Sequence, residues 1–263
     1  MIFNAALIQT TTKRSYKDNA SDIHNMVYQA YKMDAEFIFL PETCNFMESR
    51  RKIQFQQAEY EQNDKSLEDF RNLAIKYSVW LSVGSLVIKS DENYLANRSF
   101  VIDNNGIIVA RYDKIHMFDV NLGQNQIYRE SSIFKPGTKI VIARTPWGRL
   151  GMTICYDLRF PYIFQSMAKL GADFIAIPSA FTHLTGEAHW EVLLRARAIE
   201  TGSFTIASAQ TGNHENGRRT YGHSLVVDPW GNVLANSGQS LGVTIINVDT
   251  TLVRMAREKI PFL

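Results

Sequence analysis

Cysteine is scarce in this chain. Of 263 residues only Cys44 and Cys155 carry a thiol. Two are too few for a disulfide framework. No close cysteine pair and no His-Glu-x-x-His spacing offers a metal site. Glycine-rich phosphate loops of the GxGxxG or P-loop kind are absent as well, so neither a metal nor a nucleotide cofactor is expected. No apolar run approaches the roughly 18 residues that mark a membrane helix. The segment from Met1 to Thr10 lacks a basic stretch followed by an apolar one, so no signal peptide is predicted and a reducing cytoplasm is the expected compartment. Charge of one sign is also missing: Lys plus Arg number 28 and Asp plus Glu 26, a formal net charge of +2. The densest basic spots, Arg50-Arg51-Lys52 and Arg218-Arg219, read as solvated loop or helix faces. Neither a nucleic-acid partner nor a membrane partner is expected.

What is present fits a globular enzyme, with 45% apolar and 21% charged residues. Short apolar runs alternate with helical patterns. Phe3 to Ile8, Glu36 to Leu40 and Trp80 to Ile88 read as strands, separated by amphipathic helices over Asn19 to Lys32 and Ser66 to Tyr77. Ser66 is the expected N-cap of the second helix, with Asp69 completing a capping box. Three hairpins follow from turn chemistry: Asp103-Asn104-Asn105-Gly106, Thr145-Pro146-Trp147-Gly148 and Pro229-Trp230-Gly231, each between β-rich runs. Helices over Pro161 to Leu170 and Ala188 to Thr201 lead into strands at Asp173 to Ile177 and Ser203 to Ala209. With no linker or low-complexity tract, residues 1–263 read as one domain. The fold class is α/β, as two sheets packed face to face with helices outside, a four-layer α-β-β-α sandwich. Phe118 to Pro136 is the longest stretch without clear structure, and such loops are usually functional.

Three residue types at strand ends could do chemistry together. Cys155 follows the strand Leu150 to Ile154, and Pro161 then opens a helix. A cysteine at that corner follows the logic of a nucleophile elbow, with its sulfur exposed, though the glycine-flanked motif is absent; taken alone, it reads more readily as a buried structural thiol. Glu42 closes the apolar run Phe37-Ile38-Phe39-Leu40, where α/β sheets bind ligands. Partial desolvation there is expected to raise its pKa into the range of a useful base. Lys114 ends the strand Ile107 to Tyr112. A thiol needs a base or a cation to become a nucleophile, and an ammonium can hold an oxyanion. A histidine partner for Cys155 is not excluded by spacing alone. Cys44 reads as a structural or supporting thiol. Arg195 and Arg197 read as internal ion pairs on a helix that serves core and interface.

Leu40-Pro41-Glu42, Tyr112-Asp113-Lys114-Ile115-His116 and Thr153-Ile154-Cys155-Tyr156-Asp157-Leu158-Arg159-Phe160-Pro161 stand in this order, and over its whole length the sequence resembles the carbon–nitrogen hydrolase, or nitrilase-like, superfamily. Pro178-Ser179-Ala180-Phe181 and the segment His189 to Glu200 point within it to the Nit branch of deaminated glutathione amidases and ω-amidases. The resemblance implies the α-β-β-α sandwich and a catalytic set of Glu42, Lys114 and Cys155, with Glu130 steadying the lysine. It implies an oxyanion site at the backbone N–H of Tyr156, and substrate contacts at Arg159, Phe181 and Thr182, with Arg159 as a carboxylate clamp. The expected substrate is a small carboxylate-bearing linear amide, cleaved through a cysteine thioester without a cofactor. A homodimer or higher homo-oligomer is the expected assembly. Nitrile or N-carbamoyl hydrolysis on the same residues, and a non-catalytic binding protein of this fold, remain alternatives. The segment Thr182 to Glu187 is expected to be a loop.

Overall fold

A computed structural model describes residues 1–123 and 127–261. Its first half contains β1 (Ile2–Gln9), α1 (Tyr16–Lys32), β2 (Phe37–Phe39), α2 (Arg51–Gln57), α3 (Lys65–Tyr77), β3 (Trp80–Lys89), β4 (Leu95–Ile102) and β5 (Ile108–Asp113). A small hairpin follows, β6 (Asp119–Asn121) with β7 (Ile127–Arg129). The second half holds β8 (Val141–Thr145), β9 (Gly148–Met152), α4 (Pro161–Lys169), β10 (Phe174–Ala176), α5 (His183–Thr201) and β11 (Phe204–Ala207). The hairpin β12 (Thr211–Asn213) with β13 (Arg219–Tyr221) comes next, then β14 (Leu225–Val227), β15 (Val233–Asn236), β16 (Gly242–Asp249) and α6 (Thr251–Lys259).

Two six-stranded sheets result, in the orders β16-β1-β2-β3-β4-β5 and β15-β14-β11-β10-β9-β8. Strand alternation explains why they stack. Side chains two apart share a face. Phe3, Ala5 and Leu7 of β1, with Phe37 and Phe39 of β2, join the core shared with the other sheet. Ala6, Ile8, Ile38 and Leu40 point the opposite way, onto Ile23, Val27 and Ala30 of α1 and Phe70, Leu73 and Ala74 of α3. Between the sheets the aromatic rings interlock: Phe3 stacks on Trp147 at 4.9 Å and meets Phe174 at 5.5 Å. On the far side α4 and α5 cover the second sheet through Phe164, Met167, Trp190 and Leu194. The four layers expected from the sequence are therefore present.

Local details differ from expectation. Asp64, not Ser66, caps α3: its carboxylate accepts from Leu67 N at 2.9 Å and from the Ser66 hydroxyl. Asp69 is instead drawn to Tyr16 and His24 of α1. The segment from Thr182 is not a loop; α5 begins at His183 with Thr182 at its N-cap position. Phe118 to Pro136 carries the β6–β7 hairpin and a short 3-10 turn at Glu130–Ser132, and 124–126 within it lie outside the described residues. Among the described residues no helix is long and apolar enough to cross a membrane, and no group of three or more His, Cys, Asp or Glu could hold a metal.

Candidate active site

The site is built where strand ends of the two sheets meet. Glu42 follows β2 and rests on a bulge in β3 at Gly84 and Ser85, where the pairing register with β4 shifts. Ser85 holds the Glu42 turn by its hydroxyl, which accepts from Thr43 N at 2.8 Å, and by its carbonyl, which accepts from Cys44 N at 3.0 Å. Gly84 is needed there because a Cβ would stand 2.1 Å from the Leu40 oxygen. The second sheet grips the same turn. Ser208 Oγ donates to the Phe39 carbonyl at 2.8 Å, Gln210 Nε2 to the Glu42 carbonyl at 2.9 Å, and Ala180 N to Glu42 Oε2 at 2.9 Å.

Lys114 directly follows β5. Its ammonium is buried and donates to Glu42 Oε1 at 3.0 Å and to both oxygens of Glu130, at 3.1 and 2.9 Å. Asn97 of β4 donates to Glu42 Oε1 at 2.9 Å and to Glu130 Oε1 at 3.3 Å. Glu130 Oε2 also accepts from Phe118 N. Burial works against the Lys114 charge, but Glu130, Glu42 and Cys155 more than compensate and raise its pKa, so it stays an ammonium.

Cys155 opens a 3-10 turn, Cys155–Arg159, with φ of 50°, a left-handed conformation unfavourable for a residue with a Cβ. Asp157 pins this corner. Fully buried, it accepts from Ile154 N at 2.9 Å, from Tyr112 OH at 2.7 Å and from His116 N at 3.0 Å. The nucleophile turn is thus tied to the segment that carries Lys114. The thiol is less open than expected: Cys155 is 5% exposed and lines the cavity with Glu42 and Lys114. Burial and the Glu42 carboxylate push its pKa up, against Lys114, so sulfur keeps its proton at rest.

For Glu42 the expectation of a raised pKa is wrong. Burial does push it up, but Lys114 and Arg218, with hydrogen bonds from Cys155 and Lys114, outweigh burial and hold the carboxyl below the usual range. The resting pair is a carboxylate beside a neutral thiol.

All eight residues singled out from the sequence, Glu42, Lys114, Glu130, Cys155, Tyr156, Arg159, Phe181 and Thr182, line one cavity of about 580 Å³, a volume suited to a small-molecule ligand. Tyr156 N–H lies in the first turn of the 3-10 segment, where backbone donors are not used by the helix itself. The Arg159 guanidinium sits over the rings of Phe181 and Tyr156, at 5.4 and 5.9 Å, and 3.3 Å from His189 Nδ1. Phe181 serves both wall and core, packing 4.9 Å from Trp190. Thr182 Oγ1 bonds Thr185 Oγ1 at 2.8 Å. Cys44 is buried, donating to the Ser85 carbonyl, and its pKa is pushed up to about 12 by burial. Arg197 and Arg195 pair with Glu200 and Glu191, at 3.1 and 3.8 Å.

Among the cavity residues that escape the sequence reading, Asn97 and Arg218 carry the polar chemistry. Arg218 is not a solvated surface charge: it is half-buried and faces the cavity, while Arg219 is exposed. Successive side chains of a strand point to opposite faces, so adjacent arginines entering β13 could have signalled one inward charge.

The carbon-nitrogen hydrolase family profile matches residues 4–258. The chain belongs to that family. This carbon–nitrogen hydrolase is 39% identical to the deaminated glutathione amidase of Yersinia enterocolitica, over 99% of its own length and 91% of the relative's. It is 37% identical to the protein of the same name from Dictyostelium discoideum, covering 96% and 90%. The crystal structure of the Caenorhabditis elegans NitFhit protein superposes with a TM-score of 0.92 at 38% identity, covering 99% of this chain and 64% of that one. The present hydrolase thus spans a little under two thirds of that larger protein. It is an amide-hydrolysing enzyme.

Proposed function

We propose that this hydrolase cleaves a carboxylate-bearing linear amide of the deaminated glutathione type through a thioester on Cys155. The observation that carries the reading is the Lys114 ammonium, hydrogen-bonded to Glu42 in the cavity that Cys155 lines. The names of the relatives support the choice of amide.

In this reading the substrate carbonyl enters between Lys114 and the Tyr156 N–H. Sγ attacks the carbonyl carbon as its proton passes to Glu42, and the C=O electron pair becomes an oxyanion held by those two donors. Collapse of the adduct breaks the C–N bond, and Glu42 returns its proton to the departing nitrogen. Water then gives a proton to Glu42 and adds to the thioester. A second collapse releases the acid, and the leaving sulfur regains the proton from Glu42. Glu130 positions Lys114, and Arg159 binds the carboxylate on the acyl side.

Turnover of deaminated glutathione, a 2-oxo ω-amide, a nitrile and an N-carbamoyl compound tests the reading. Amide hydrolysis should dominate, Cys155→Ala should abolish it with an unchanged fold, and trapped acyl mass should sit on the Cys155 peptide. Acyl mass on Cys44, or equal turnover by the variant, would reject it. A homodimer is proposed as well, supported by exposed apolar side chains at Val192 and Ile199 of α5, Tyr162 of α4 and Trp230. Sedimentation showing only monomer would reject that assembly.

A further inference from the structure

We infer that Arg218 binds a second carboxylate of the substrate, on the departing amine, so that the site is built for an amide anionic at both ends. The inference rests on the amidase reading above and extends it to the leaving group.

Arg218 lines the cavity and, among the described residues, has no carboxylate in ion-pair contact. Its guanidinium donates to the Ala180 carbonyl and lies over the rings of Tyr128 and Phe118, at 5.4 and 5.9 Å. Its Nε is buried and has no acceptor among the described residues. Among the described residues it forms no ion pair, whereas Arg14, Arg50, Arg98, Arg111 and Arg197 each meet a carboxylate. A half-buried guanidinium stacked on aromatic rings, with donor capacity to spare, matches a carboxylate in geometry and charge.

Position decides which end of the substrate it reads. Ala180 links the two groups: its carbonyl accepts from Arg218 and its N–H donates to Glu42 Oε2 at 2.9 Å. Glu42 must stand beside the departing nitrogen to return its proton. Arg218, which shares Ala180 with Glu42, is therefore assigned to the leaving-group side. Arg159, on the nucleophile's own turn, serves the acyl side. A cavity of about 580 Å³ has room for both halves of such a substrate.

The test pairs a change in the enzyme with the matching change in the substrate. Deaminated glutathione retains the glycine carboxylate on its amine portion, and its C-terminal carboxamide lacks that charge. Wild type should favour the acid over the carboxamide by at least about tenfold in kcat/KM, and Arg218→Met should erase the preference. Arg218→Lys should restore part of it. Equal losses on both substrates would overturn the inference, because they would mean that Arg218 acts only on Glu42. A preference surviving in Arg218→Met would also overturn it. Calorimetric binding of both compounds to Cys155→Ala, with and without Arg218→Met, repeats the cycle without turnover. Failure of the amidase reading would appear as no product from wild type. Failure of this inference would appear as the same acid-over-carboxamide binding ratio with and without Arg218. Melting temperatures identify any variant that does not fold, and Arg218→Gln then takes the place of Arg218→Met.

Discussion

Lys114 meets Glu130 through both carboxylate oxygens, at 3.1 and 2.9 Å, and Glu42 through only one, at 3.0 Å. The second oxygen of Glu42 goes to Ala180 N. The two acids are thus unequal: Glu130 is committed to the lysine, and Glu42 is shared between the lysine, the facing sheet and the thiol. Glu130→Gln should loosen the ammonium without removing the base. The expected result is a fall in kcat of roughly 100-fold with KM changed only a few-fold, measured by steady-state kinetics. A change confined to KM would assign Glu130 to substrate binding instead.

The lowered pKa of Glu42 sets the acid limb of the rate profile. Glu42 accepts a proton only when ionised, so activity is lost as pH falls through its folded value. That value lies below the ordinary 4.5, so kcat/KM should stay level down to that pH and decline beneath it. Residual activity of Lys114→Met should show the limb displaced upward, since burial then acts against one less cation. Short assays after a pH jump separate this titration from acid unfolding.

His214 predicts a loss of stability in mild acid. It is buried, with Nδ1 3.0 Å from the Thr12 carbonyl and Nε2 2.8 Å from Thr220 Oγ1, so it is neutral and Nδ1 carries the proton. Burial lowers its pKa from 6.5 to about 4, opposed by the Thr12 bond and aided by Arg218. Between those values the unfolded chain binds the extra proton and the folded one does not. Stability is therefore complete above 6.5 and drains away as pH falls toward about 4, by roughly 3 kcal/mol. Urea unfolding across this window should show a shallower loss in His214→Gln.

Gly84→Ala should damage the site from beneath. The added Cβ would meet the Leu40 and Pro41 oxygens at 2.1 and 2.2 Å, so the backbone carrying Glu42 must move. We expect a loss of at least about 2 kcal/mol of stability and, in the folded fraction, a kcat lower by tenfold or more. Ser85→Ala, which removes only the hydroxyl bonded to Thr43 N, should be milder on both counts. Melting curves and active-site titration distinguish the two.

Much of the architecture is legible in the sequence because it rests on period-two patterning and turn chemistry. Phe3, Ala5 and Leu7 against Ala6 and Ile8 already describe a strand buried on both faces. The turn at Gly106, with φ of 74°, is of the kind Asn-Gly announces. The C-terminal strand β16 and helix α6 are not legible in this way. β16 is an edge strand, mostly half-buried, and its pairing with β1 joins residues some 240 positions apart. At the site, strand ends reveal where acid, amine and thiol emerge, but not the field they share. The pKa of Glu42 depends on Arg218, which comes from a hairpin of the other half of the chain, and one-dimensional reading has no access to that approach. Asn97 escapes for a related reason: an amide in a strand has a role only through the two carboxylates it bridges.

The proton that Cys155 keeps at rest also bears on how the enzyme endures oxidants. Peroxides attack thiolates far faster than thiols, and the first product, a sulfenic acid, proceeds to irreversible states. A buried sulfur that surrenders its proton only to the adjacent Glu42 carboxylate, in the presence of a positioned carbonyl, offers little to such reagents between turnovers. Idle enzyme is shielded by the same arrangement that makes working enzyme reactive.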